Sequence, residues 1–258
     1  ERHMLKVNDS VVDFINHGIN AIDGMLNKSA AVIAAVCAQI VKYRGVEFSF
    51  IEIGVYKGKF FALIAKATDD NCLLYGVDPF ILENQSIDMG YSILHNHIKH
   101  NRIKLIKAMS NEHELISRNI TCNIMMAHID GSHKEDDVYN DLKYITELIA
   151  DDGVIILDDF FHKSHLGVTS ATFRFLIENQ NIKPFLVSSS KLYLCKQCFH
   201  DFYLKKMIEG FHANTHFSIC KDWLEKNKTL PPHHTFSYIL KNKVIIKMFI
   251  LDMNLILI

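Results

Sequence analysis

The stretch Phe50-Ile51-Glu52-Ile53-Gly54-Val55-Tyr56-Lys57-Gly58-Lys59-Phe60 decides how this chain is read. A short run of β-branched and aromatic residues stops at Gly54, three residues pass, Gly58 follows, and a helical spacing begins. Gly54 lets the backbone turn sharply and come close to a ligand, and Gly58 lets the next helix pack tightly. The pattern is E-x-G-x-x-x-G and departs from the G-x-G-x-x-G of dinucleotide-binding turns. Alone, such a glycine pair also serves a plain strand-to-helix turn.

Outward from this turn, apolar runs alternate with amphipathic stretches as far as residue 196. After Phe48 to Ile53 come Leu73 to Val77, Ile103 to Ile106, Ile124 to Ile129 and Val154 to Leu157. Near-continuous apolar runs are what parallel strands covered on both faces require. Between them, Lys59 to Ala67, Ile81 to Lys99, a segment capped by Ser110, and Asp136 to Ala150 have helical spacing. Thr169 to Glu178 reads as a further helix. Strand and helix in strict alternation predict an α/β, Rossmann-like sheet with right-handed crossovers and helices on both faces. Pro184 to Val187 and Lys191 to Leu194 flank three serines and read as a hairpin, so the last of seven strands is antiparallel. Three segments are expected: a helical N-terminal cover over 1–47, the α/β domain over 48–198, and a helical extension with an apolar tail over 199–258. Pro231 and Pro232 break the pattern before that tail, which suits a buried strand or an oligomer contact.

With 258 residues, 49% of them hydrophobic, the chain can bury a core without disulfides. A formal net charge of −1, with dispersed lysines and arginines, offers no electrostatic footprint for nucleic acid or an anionic membrane. No apolar run reaches the ~18 residues of a spanning helix. Cys37, Cys72 and Cys122 lie among apolar neighbours and read as reduced core residues, so a cytoplasmic setting is expected.

Open α/β sheets bind their ligands beyond the carboxyl ends of the strands. Asp78 ends the second strand, where a carboxylate can accept both hydroxyl protons of a ribose. Together with Glu52, Gly54 and Gly58 it points to a nucleoside-containing cofactor. Asp130 ends the fourth strand, and Asp158 and Asp159 end the fifth. Neighbouring strands lie ~4.8 Å apart, so these three carboxylates converge on one rim. Crowded carboxylates repel unless a cation neutralises them, and hard oxygen ligands suit Mg²⁺ or Mn²⁺. The alternative is that Asp130, Asp158 and Asp159 only shape turns and caps. His133 stands three residues past Asp130, where a neutral imidazole could take a proton from a hydroxyl, with Asp130 as the competitor for that role.

On these residues the chain resembles the class I S-adenosylmethionine-dependent methyltransferases. Within that class it resembles the metal-dependent small-molecule O-methyltransferases, the macrocin, aminocoumarin-sugar and cephalosporin-hydroxylase-like group. The likeness is carried by FIEIGVYKGKF at 50–60, YGVDPF at 75–80, HIDGSH at 128–133, DLKYITELIADDG, and VIILDDF at 154–160. It implies that Glu52, Gly54 and Gly58 shape the pocket for the methionine part of S-adenosylmethionine, with Asp130 at its edge. Asp78 would hold the ribose and Ser110 would lie near the adenine. It also implies a sugar or sugar-like hydroxyl as acceptor, with a catechol-type phenol as second choice. Where relatives carry a tyrosine two positions after the histidine, Lys134 and Glu135 follow His133 here.

Three other readings compete. A silent methyltransferase-fold subunit would have no need of Asp130, His133, Asp158 and Asp159. A nicotinamide dehydrogenase would want the other glycine pattern. A structural zinc site from Cys195, Cys198, His200, His212, His216 and Cys220 fits no familiar spacing.

Overall fold

The computed structural model describes residues 5–44, 47–68, 72–82, 85–96, 103–188, 190–228, 235–240 and 244–250. Five strands lie parallel: β1 (Ser49–Ile53), β2 (Leu73–Asp78), β3 (Ile103–Lys107), β4 (Ile124–Ile129) and β5 (Ile149–Leu157). The hairpin β6 (Ile182–Ser188) and β7 (Lys191–Lys196) follows, and β7 runs antiparallel to both β5 and β6. These seven strands are the sheet foreseen from the sequence. Two more, β8 (Thr235–Leu240) and β9 (Val244–Ile250), extend it through parallel pairing of β9 with β6, giving the order β3-β2-β1-β4-β5-β7-β6-β9-β8. The sequence reading left the tail between a buried strand and an oligomer contact; Val244–Ile250 is a strand, and 251–258 lie outside the described residues.

Every residue of β1 and β4 is buried, because helices cover both faces. Alternation along β1 sends Phe50 to one face and Ile51 and Ile53 to the other. On the first face lie α2 (Lys28–Tyr43), α3 (Lys59–Ala67), α8 (His200–Ala213) and the N-terminal segment. On the second lie α5 (His113–Asn119), α6 (Glu135–Leu148) and α7 (Leu166–Glu178). The first-face helix α2 is apolar around its whole circumference and buried from Ala30 to Val41, as a helix wedged between neighbours must be.

The N-terminal stretch is helical in pieces: α1 (Asp9–Asp13), a π-helical turn Phe14–Gly18, a 3₁₀ turn Ile19–Ala21, then α2. Its start is tied to the far end of the chain. Asn214, fully buried after α8, accepts from the Val7 amide at 2.8 Å and donates to the Leu5 and Gly210 carbonyls, each at 2.8 Å. Helix α9 (Ser218–Lys228) follows α8 in the C-terminal extension.

Two local expectations shift. Helix α4 spans Ile87–His95 only, since Ser86 caps it by accepting from Met89 N at 3.1 Å. The loop before it is held by Asp78, and residues 97–99 lie outside the described ones. Ser110 does not cap α5, which starts at His113; Glu112 turns back to accept from the Met109 amide at 2.7 Å.

Strand order reverses at β1, with β2 on one side and β4 on the other. That reversal opens a crevice beyond the strand ends. The ends lie flush because the ladder continues past them: Gly54 N–H to Val77 O at 2.8 Å, Asp130 N–H to Ile53 O at 2.8 Å, and Asp158 N–H to Ile129 O at 2.9 Å. Among the described residues no helix is long and apolar enough to cross a membrane.

Candidate functional site

Gly54 occupies φ +87°, and a Cβ there would stand 2.0 Å from the Asp130 carbonyl oxygen. The turn after β1 therefore presses directly on the end of β4. Glu52, two residues earlier, is 2% exposed. Its Oε1 lies 2.7 Å from His128 Nδ1, and its Oε2 is buried without a hydrogen-bond partner among the described residues. Burial, then the Asp130 carboxylate, holds Glu52 well above the usual carboxylate range.

This pair belongs to a chain of buried polar groups that crosses the sheet. Lys191, on β7, places Nζ 2.9 Å from His128 Nε2 and in a salt bridge with Asp158 Oδ2; its side chain is 3% exposed. His128 is pushed well down by burial and by Lys191, so the ring is neutral. A lysine ammonium can only donate, so Nε2 accepts and Nδ1 carries the hydrogen toward Glu52. Burial opposes ionisation of Asp158, but Lys191 outweighs it and holds this carboxyl far below the usual range. Ser190 adds a hydrogen bond to Asp158 Oδ1 at 2.9 Å. Asp130 stands beside Asp158 and is pushed well up, by burial first and by Asp158 second. His128, Lys191 and Ser190 were not among the residues singled out in the sequence.

Asp159 faces another way. Its φ of 54° is a left-handed conformation uncommon for a residue with a Cβ, and it is fixed by a hydrogen bond from its own amide to Asp158 Oδ1 at 2.8 Å. Its Oδ2 lies 2.8 Å from His133 Nε2 and 3.9 Å from His165 Nε2. The three expected metal carboxylates thus fall into two groups with metal-ligand spacing. Asp130 and Asp158 join His128, whereas Asp159 joins His133 and His165; within each group the donor atoms lie within 4.8 Å of one another. Neither group among the described residues includes Cys195, Cys198, His200, His212, His216 or Cys220.

The remaining expected cofactor residues sit along the same rim. Asp78 accepts from Tyr56 N at 2.8 Å, Phe80 N at 2.6 Å and Gln85 Nε2 at 2.9 Å, which ties the loops after β1 and β2 to one carboxylate. Gly58, at φ +80°, starts α3. Ser110 lies past β3 and near Asp141 of α6, whose carboxyl burial pushes up to about 6 against the lowering effect of Ser110. Tyr56 and Met109 are exposed apolar side chains on this rim, at 41% and 50%.

Residues 51–160 match a known family of methyltransferase domains. No curated protein matches the sequence. Among solved structures, the O-methyltransferase NovP superposes with a TM-score of 0.57 at 12% identity, over 67% of this chain and 81% of NovP. CalS11, a TDP-rhamnose 3'-O-methyltransferase of calicheamicin biosynthesis, gives 0.53 at 14% identity over 71% of this chain and 85% of its own. MycE, from the mycinamycin pathway, was solved with Mg, S-adenosylhomocysteine and mycinamycin VI. It gives 0.51 at 17% identity over 73% of this chain and 55% of its own. At these identities the likeness is one of fold: a Rossmann-like sheet shared with class I O-methyltransferases.

Proposed function

We propose that this methyltransferase moves the methyl group of S-adenosylmethionine to a hydroxyl of a small molecule, a sugar or sugar-bearing natural product, with the help of a divalent cation. The observation that carries this reading is the meeting, on one rim, of the Gly54 turn with Asp130, His133, Asp158 and Asp159. The TDP-rhamnose named for CalS11 and the Mg, S-adenosylhomocysteine and mycinamycin VI named for MycE support it.

The residues present fit the donor. Glu52 Oε2 is a buried oxygen with no hydrogen-bond partner among the described residues, beside a turn whose backbone leaves no room for a side chain. Such a cradle suits the polar methionine end of the cofactor, and a carboxylate such as Asp78, already organising two loops, suits its ribose. They also fit a cation, since both groups of donors hold a carboxylate and an imidazole. Bound there, a divalent ion supplies a Lewis acid that makes an alcohol easier to ionise.

The chain's own share of the work is positioning and proton transfer. In this reading the hydroxyl proton goes to His133, 40% exposed and paired with Asp159, or to Asp130 just past the end of β4. The sheet ends fix them relative to the Gly54 turn, and such placement supplies much of the rate in a reaction between two bound partners. Chelation of a cation favours an acceptor with two neighbouring oxygens, which a sugar diol offers and a catechol-type phenol, the second acceptor class, offers too.

Transfer of labelled methyl from S-adenosylmethionine to a panel of glycosides and catechols tests the reading directly. His133→Ala is expected to lower kcat by ~100-fold or more while S-adenosylhomocysteine affinity stays within a few fold. Failure of the purified protein to bind S-adenosylhomocysteine at all would remove the reading in favour of a silent subunit.

A further inference from the structure

We propose that His133, Asp159 and His165 form a seat for one divalent transition-metal ion, set apart from the carboxylates of Asp130 and Asp158. The proposal rests on the reading of this rim as a methyl-transfer site, and it names the cation of that site and its ligands. His165 is the new member, since nothing in the sequence singled it out.

The inner group holds a fixed positive charge of its own. Lys191 Nζ touches Asp158 and His128 together, so two of the three donors there are engaged by an ammonium. Among the described residues Asp159 pairs only with His133 and His165. An ion with bonds of about 2.0–2.1 Å to nitrogen and oxygen needs neighbouring ligand atoms roughly 3 Å apart. The two separations from Asp159 Oδ2, 2.8 Å and 3.9 Å, bracket that need, and the site closes when the His165 ring swings out of its stack on His133 to turn Nε2 toward the ion.

The backbone is prepared for it. Asp159 is held in its left-handed conformation from both sides, by Asp158 Oδ1 and by the Phe160 amide bonded to Ser190 O at 2.8 Å. A non-glycine residue kept in such a conformation costs energy that its surroundings must hold, a common mark of functional sites. The start of α7 presses on the loop of His133, since a Cβ on Gly167 would stand 2.4 Å from the His133 carbonyl oxygen. This contact locks the two histidine-bearing loops together. The imidazoles of His133 and His165 stack at 3.8 Å, 23° apart, and His162 stacks on His165 at 4.6 Å.

Two imidazole nitrogens and one carboxylate favour Zn²⁺, Fe²⁺ or Co²⁺ over Mg²⁺, which prefers an all-oxygen sphere. The ligands remain 20–40% exposed, so three protein donors leave coordination positions on the solvent side, where neighbouring acceptor oxygens would arrive. With His133 Nε2 committed to the ion, Asp130 is left to receive the hydroxyl proton.

The test is a titration of chelator-treated protein with Co²⁺, followed by its visible absorption, and with Mg²⁺ as competitor. One Co²⁺ per chain is expected, hardly displaced by Mg²⁺. His165→Ala should weaken Co²⁺ binding by ~100-fold, and His133→Gln should do the same, so the result does not hang on one variant's folding. Asp130→Asn should leave it within about threefold. Loss of binding in Asp130→Asn with full binding in His165→Ala would move the ion to the inner group and overturn the proposal. So would absence of Co²⁺ binding in wild-type protein that binds S-adenosylhomocysteine normally. Co²⁺ binding without S-adenosylhomocysteine binding would uphold the metal seat and strike the methyl-transfer reading instead.

Discussion

Gly54→Ala is expected to abolish S-adenosylhomocysteine binding and to lower the unfolding free energy by about 3 kcal/mol or more. The new Cβ would stand 2.0 Å from the Asp130 carbonyl oxygen, 2.5 Å from its carbon and 2.9 Å from Gly131 Cα. All three are backbone atoms at the end of β4, so they can yield only by prising β1 from β4. The φ of +87° adds its own penalty for any side chain. Gly58→Ala is the matched control, sharing a positive φ of +80° but meeting only the flexible end of Leu94 at 2.9 Å. Urea unfolding and calorimetric titration read both variants. Equal, mild effects would mean that the turn at 54 does not press on the site.

The second large effect belongs to Asp158. Asp158→Asn leaves Lys191 as a buried charge with its counter-charge removed, a loss of about 3–5 kcal/mol. The pH dependence fixes the cause. In the folded protein this carboxyl lies below its ordinary value of 3.8, so its contribution is complete above that value. It is lost as pH falls toward the lower folded value. The gap between wild type and variant should therefore be constant from about pH 5 upward and shrink only in strong acid. The double variant Asp158→Leu/Lys191→Met removes both charges and should recover most of the stability without recovering turnover. A single variant as stable as wild type at pH 7 would show that the Lys191 contact contributes little.

Much of this architecture is legible in the apolar runs. Four of the parallel strands fall where Phe48–Ile53, Leu73–Val77, Ile103–Ile106 and Ile124–Ile129 predict them, because strands covered on both faces have few polar residues to confuse the pattern; β5 starts at Ile149, ahead of the predicted Val154–Leu157, since Asp151 and Asp152 interrupt its apolar run. The rim residues Glu52, Gly54, Asp78, Asp130 and Asp158 are legible for the opposite reason: each is the first polar or glycine residue at or near a strand end. Lys191 was hidden because its role depends on pairing between distant segments. The antiparallel register Leu157↔Leu192 brings the next residues, Asp158 and Lys191, face to face. A reader who had aligned the hairpin against β5 could have found it. The turning of Asp159 toward His165 had no such signal. It follows from a left-handed backbone angle that no spacing of residue types announces.

The bracket made by Asn214 bears on how the chain is born. Leu5 and Val7 leave the ribosome more than two hundred residues ahead of the hydrogen-bond partner that holds them. The front segment also reaches the turn after β1, through the Asp23 contact with Lys57 at 2.7 Å and the Gly24 carbonyl with Lys59 at 2.8 Å. Nascent chains that have already laid down their first strands must therefore wait for position 214 to emerge before the leading segment can seal the flank of the crevice.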